Sequence, residues 1–212
     1  SWLARIFDWG NRLTLQQASR VVTLDEAMRE RLLMKIATRP AIDVLPPWPI
    51  AEISKAAEEV SDDFRRRSSL DGRFLVMYSG NHALQHPLKT LLDVATESRH
   101  DSELCFVFIG GGAGKVDVDK AVEGGASNVV SLPYQPLEQV GASLGAENVH
   151  VVSMGNEMVG IVHPCKIYSA LAVGKPLLVF GPSNSHLASI VVGNQLGEHV
   201  QHDDTAGAVL AL

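Results

Sequence analysis

The chain of 212 residues carries 18 Lys and Arg against 24 Asp and Glu, a formal net charge of −6. That acidic balance argues against a nucleic-acid binder, which presents a basic face. Hydrophobic residues make up 46% and charged residues 20%, which excludes disorder and fits a packed soluble core. No apolar run reaches the ~20 residues that span a bilayer. The two cysteines are too few for a disulfide framework and fit a reducing compartment.

The first predicted element is a helix, SWLARIFDWGNRL. Its Trp2, Phe7 and Trp9 read as a core-facing stripe, and with Arg5 and Arg12 as a peripheral membrane contact in the second reading. A short strand RVVTL, a helix from Asp25 to Ile36 with Asp25 as its N-cap, and the strand AIDVL follow. PPWP, Pro46 to Pro49, reads as a stiff linker, and a charged helix over 51–67 leads onward. From there apolar strands and helices alternate: RFLVMYSGN, PLKTLLDVATES, LCFVFIG, a helix to Gly124, NVVSL, a helix over 137–144, NVHVVSM, the helix after Pro164, PLLVF, a helix over 186–192 and a last strand and helix start. Alternation of this kind predicts an α/β fold with a parallel sheet covered by helices on both faces. The chain begins without Met and stops inside a helical pattern, so it is expected to continue beyond the sequence given.

Strand after strand ends in a turn: Ser79-Gly80-Asn81, Gly110-Gly111-Gly112, Pro133-Tyr134-Gln135. In open α/β sheets ligands bind beyond the carboxyl ends of the strands, and glycine there lets backbone N–H groups approach an anion. Each glycine taken alone equally serves a tight turn. GGGAGK is not a phosphate-binding P-loop, because its lysine comes too early and no Ser or Thr follows. In Gly160–Pro176, Pro164 suits the first helical position, with Cys165 and Lys166 in the first turn. A lysine there opposes the helix dipole unless an anion completes the site. The alternative is a solvated surface lysine. His82 and His86, four apart, would share a metal only on a helix, and no third ligand is apparent. SNSH, Ser183 to His186, reads as a polar N-cap for the next helix rather than a catalytic set.

The order YSGN…LLDVA…FVFIGGG…NVVSLPYQP…HVVSM…VHPCKIYSALAVGKP resembles the C-terminal, donor-binding domain of family-4 retaining glycosyltransferases, in the flavour of the N-acetyl-L-fucosamine transferase type. The resemblance implies the C-terminal half of a GT-B architecture, Rossmann-like, with residues 50–212 as the donor domain. Residues 1–49 would be the end of an acceptor-side domain and its linker. It implies transfer of a hexose or acetamido-hexose from a nucleoside-diphosphate sugar, UDP-linked by preference. The acceptor would be a polysaccharide or lipid-linked glycan bound through the N-terminal domain. The location would be cytoplasmic, at the inner face of the membrane where the acceptor demands it. No metal and no cofactor are expected. By the same resemblance Gly80, Asn81, His86 and Gly111 approach the diphosphate, and Pro133, Tyr134 and Gln135 hold the base. Pro164, Cys165 and Lys166 hold diphosphate or sugar, and Lys166 and Glu157 are the catalytic candidates.

The departures are specific. Asn81 and His86 stand where an Arg and Lys pair is common, and Ser169 stands where a carboxylate would grip the ribose. Glu157 is displaced from the other acidic position. Two rivals share the architecture: a UDP-sugar 2-epimerase, which needs more acid in the cleft, and a non-catalytic nucleotide-sugar binding module.

Overall fold

The computed structural model describes residues 2–36, 40–49 and 58–212, without the side chains of residues 58 and 59. Helix α1 (Trp2–Gln17) precedes strand β1 (Arg20–Thr23), helix α2 (Glu26–Leu33) and strand β2 (Ala41–Val44). β1 and β2 pair in parallel as a two-stranded sheet. Asp25 caps α2 as predicted, its carboxylate accepting from the Met28 N–H at 2.8 Å. Pro46–Pro49 carries no regular structure. The expected helix over 51–67 is described only as α3 (Glu58–Arg67), its first part lying outside the described residues.

Six parallel strands make the main sheet: β3 (Phe74–Asn81), β4 (Leu104–Gly111), β5 (Val129–Leu132), β6 (Val149–Ser153), β7 (Leu177–Phe180) and β8 (Gly197–Val200). Their order is β5-β4-β3-β6-β7-β8. The central strands read as unbroken apolar runs because both faces are buried. Val76 and Tyr78 of β3 pack with Phe106 and Phe108 of β4 under α4 (Lys89–Glu97), α5 (Lys115–Glu123) and α9 (Thr205–Leu210). Leu75 and Met77 point the other way, to Phe64 of α3 and to Ala142 and Ala146 of α6 (Leu137–Ala146). On that second face, α7 (Lys166–Ala172) and α8 (His186–Gly193) close over β6 and β7 through Ile167, Ala170, Leu187 and Val191. Ser185 caps α8, accepting from the Ala188 N–H.

Arg65 anchors α3 below the sheet. Its guanidinium donates to the carbonyls of Ala146 and Arg73 and to Asn148 Oδ1, at 2.8, 2.9 and 2.8 Å. Asn148 Oδ1 also accepts from the Leu75 N–H at the start of β3.

Three expectations are corrected. The α1 stripe does not face the core: Trp2, Phe7 and Trp9 are 69%, 70% and 64% exposed, while the opposite face ties to the turn after α2 through Asp8–Lys35 and Arg12 on the Lys35 carbonyl. α2 ends at Leu33 rather than Ile36. α7 begins at Lys166, not Pro164. The Pro164 carbonyl accepts from the Ile167 N–H in a single turn before the helix proper, and Cys165 takes the cap position.

Candidate functional site

From β3 the chain moves outward to β4 and β5, then returns to place β6 on the other flank of β3. The crevice beyond the carboxyl ends of β3 and β6 is therefore the topological switch point, where open α/β sheets hold ligands. Loops from both sides meet there.

Gly80, Gly110 and Gly112 have φ of 128°, 126° and 132°, backbone that favours glycine. A methyl group on Gly110 would collide with the Gly80 carbonyl, and one on Gly112 with the Asn81 side chain and the His82 carbonyl. The strand ends thus lie against one another with no side chain between them. The Gly111 carbonyl accepts from the His82 N–H at 2.8 Å and the Tyr134 hydroxyl at 3.1 Å. That second bond lays the Tyr134 ring over Gly110 and Gly111 while leaving the residue 59% exposed. Beside it, Gln135 Nε2 donates to the Pro133 carbonyl.

Lys166 reaches into this crevice from the start of α7. Its Nζ is buried, lies 3.7 Å from the centroid of the Tyr78 ring, and has no hydrogen-bond partner among the described residues. A methyl group on Gly80 would stand 3.3 Å from it. Burial pushes the amine down to about 7, while the face of Tyr78 favours the ammonium. Tyr78 is itself fixed, its hydroxyl donating to the Asn81 carbonyl at 2.7 Å. The result is a desolvated ammonium on an aromatic face beside glycine backbone, an arrangement that an anion would complete.

The neighbouring histidines bring no second cation. His86 Nδ1 bonds the Ser153 carbonyl at 2.7 Å, so the neutral ring carries its proton there. Burial, and then the Lys166 charge, lower its pKa. His82 bonds the Gly80 carbonyl through Nδ1. Burial, followed by the charge of Lys115, takes it to about 4. The His82–His86 metal pair is not formed: residues 82–86 are not helical, and each imidazole is committed to a different strand end. Lys115 turns its ammonium to the carbonyls of Phe108 and Leu132.

The structure therefore brings Gly80, Asn81, His86, Gly111, Tyr134 and Lys166 to one end of the sheet. Pro164 is buried ahead of α7, and Cys165 is exposed with its thiol on the His163 carbonyl at 3.3 Å. Glu157 sits exposed in a 3-10 turn (Asn156–Met158). Sequence reasoning missed Tyr78 as the platform for Lys166. It also missed a buried cluster of Asp25, His163 and His186 behind the Lys166 turn.

No protein-family model and no curated protein sequence matches the chain. Solved structures do match in shape. WaaG, a glycosyltransferase involved in lipopolysaccharide biosynthesis, superposes with a TM-score of 0.77 at 14% identity, over 98% of this chain and 56% of its own. The fold is that of the C-terminal half of the GT-B glycosyltransferases. Sucrose-phosphate synthase from Thermosynechococcus elongatus gives 0.77 at 16% identity, over 98% of this chain and 51% of its own. HepE from Anabaena, in complex with UDP-glucose, gives 0.77 at 14% identity over 97% and 56%. The chain thus spans about half the length of these structures. Within the GT-B half, no helix among the described residues is long and apolar enough to cross a membrane.

Proposed function

We propose that this chain is the nucleotide-sugar-binding half of a retaining glycosyltransferase, with residues 50–212 as the donor domain and residues 1–49 as the end of the acceptor-side domain. The observation that carries the reading is the buried Lys166 ammonium beside Gly80 at the switch point, without a hydrogen-bond partner among the described residues. A donor diphosphate supplies the charge that this group lacks, through charge-assisted hydrogen bonds. The glycine strand ends admit its oxygens to backbone N–H groups. Tyr134, flat and exposed over Gly110 and Gly111, offers a stacking face for the base, with Pro133 and Gln135 framing it. HepE, solved with UDP and glucose and with UDP-glucose, supports UDP as the nucleotide.

The chemistry is transfer of a hexosyl or acetamidohexosyl group to a polysaccharide or lipid-linked acceptor. Lys166 and the strand-end amides stabilise the departing diphosphate as negative charge develops on it. Asn81 and His86 then act through position, since neither carries a full charge.

Calorimetric titration with UDP, GDP, ADP and UMP, without added metal, tests this. UDP is expected to bind well above UMP. Equal binding of diphosphate and monophosphate would remove the role given to Lys166. Sugar transfer by the full-length protein separates an enzyme from a binding module.

A further inference from the structure

Behind the Lys166 turn lies a buried polar cluster that the nucleotide site does not use. Asp25 and His163 are 6% and 8% exposed, and the His186 side chain 10%. His163 Nδ1 donates to Asp25 Oδ2 at 2.8 Å, and its Nε2 accepts from the Tyr168 hydroxyl at 2.9 Å. His186 Nδ1 approaches the same carboxylate oxygen at 3.4 Å, and the two imidazoles stack with centroids 4.0 Å apart and planes 10° from parallel. One carboxylate oxygen thus faces two imidazoles, one from the loop before α7 and one from the start of α8. Asp25 lies in the first 49 residues. His163 lies three residues before Lys166, and Tyr168 is on the first turn of α7.

A second contact joins the same surfaces. Gly160, at φ 70°, lies so close to α2 that an added methyl group would stand 2.7 Å from the Ala27 carbonyl and 3.4 Å from Arg31 Cβ. The loop from Gly160 to His163 is therefore held against α2 at both ends, by close backbone approach at one and by Asp25 at the other.

The stacking also decides what kind of site this is. A metal ion bound by two imidazoles lies near the plane of each ring, about 2 Å from each nitrogen. Parallel rings 4.0 Å apart offer no common point of that kind.

We propose that Asp25, His163 and His186 form a latch between the acceptor-side segment and the donor half, and that these positioning residues hold the Lys166 turn against the nucleotide crevice. The proposal rests on the reading of Lys166 as the diphosphate ligand. Closure of the two segments and assembly of the donor site are then one event: parting α2 from the 160–163 loop frees the turn that aims the ammonium.

Asp25→Ser tests it, because Ser caps α2 as Asp does but cannot reach either imidazole. Asp25→Thr, a second cap that cannot reach either imidazole, serves should Ser impair folding. Hydrogen exchange is followed in peptides covering 25–28 and 159–166, with β3 and β4 as the internal reference, alongside titrations with UDP and UMP. The expected result is exchange about tenfold faster in both peptides and unchanged in the strands, with the UDP-to-UMP affinity ratio falling about tenfold. Unchanged exchange overturns the latch. Faster exchange with an unchanged ratio overturns its positioning role. Stoichiometric Zn2+ binding that Asp25→Ser abolishes overturns it in favour of a metal site. If the wild-type chain binds no nucleotide, the reading of Lys166 fails, and the exchange data still decide the latch.

Discussion

Replacing Lys166 with Met keeps an unbranched, flexible side chain, one atom shorter than lysine, over Tyr78 and removes the charge. Taking the amine from its ordinary 10.5 to about 7 corresponds, at about 1.4 kcal/mol per pH unit, to a ceiling of about 5 kcal/mol against the folded state. The Tyr78 face returns about 1–2 kcal/mol, and partial hydration on relaxation returns more. The Met variant is therefore expected to be about 1–3 kcal/mol more stable than the wild type at pH 7. The unfolded chain keeps the lysine proton up to 10.5 and the folded chain loses it through about 7. Between those values the unfolded state binds more protons, so wild-type stability climbs with pH relative to the variant. The advantage of Met is full below pH 7 and gone near 10.5. Urea unfolding followed by circular dichroism at pH 6.5, 8.5 and 10 reads this directly. The same variant is expected to lose UDP affinity by about 1.5–3 kcal/mol. A Met variant less stable than wild type at pH 7, or one whose difference does not change with pH, would refute the picture of a desolvated ammonium awaiting an anion.

UDP binding is expected to take up a proton at Lys166, close to one at pH 8 and little at pH 6, so calorimetric enthalpies at pH 8 should depend on the ionisation heat of the buffer. Affinity should fall above pH 7 by up to about tenfold per pH unit, and Lys166→Met should abolish the effect. Tyr134→Ala is expected to weaken UDP and UMP alike, by about 1–3 kcal/mol, the scale of one base stacked on one ring; an unchanged affinity would place the base elsewhere. Arg65→Ala strips three hydrogen bonds from the base of the sheet and should cost about 2–4 kcal/mol in urea unfolding, leaving the UDP-to-UMP ratio alone.

The sheet was legible because burial on both faces leaves a plain mark. FLVMYSGN and LCFVFIGG are apolar through their length and end in glycine or asparagine, a pattern that suits central parallel strands. The glycine turns beyond them could be assigned to a crevice for the same reason. What lay outside the sequence was orientation. Nothing in the spacing of Tyr78 and Lys166 says that the ring faces the ammonium, since one lies within β3 and the other starts α7. Asp25 and His163 are 138 positions apart, and the cap role of Asp25, which used one carboxylate oxygen, was readable while the use of the other was not. The start of α7 was set two residues early because Pro164 is equally compatible with the first helical position and with the turn before it. Periodicity misplaces the α1 stripe in the core, because it fixes that one face is apolar and says nothing of what covers it.

The departures at Asn81 and His86 and the burial of Lys166 belong together. An exposed Arg and Lys pair would meet a diphosphate with charges that water also satisfies, and each would add a modest screened attraction. Here the Lys166 charge is kept dry between Tyr78 and Gly80. Its attraction for an anion is unscreened, and the penalty for leaving it unpaired is carried by the free protein. One buried ammonium can then replace two exposed ones, provided that it is held in place. Burial keeps His82 and His86 neutral beside it, which spares the crevice further like charge and leaves the ammonium form of Lys166 easier to reach when a ligand arrives. The cost is dependence on geometry: a turn that shifts by an ångström lets water reach the ammonium and ends its advantage. A latch that ties the Lys166 turn to α2 is what such a site requires, and a site of exposed charges would not need one.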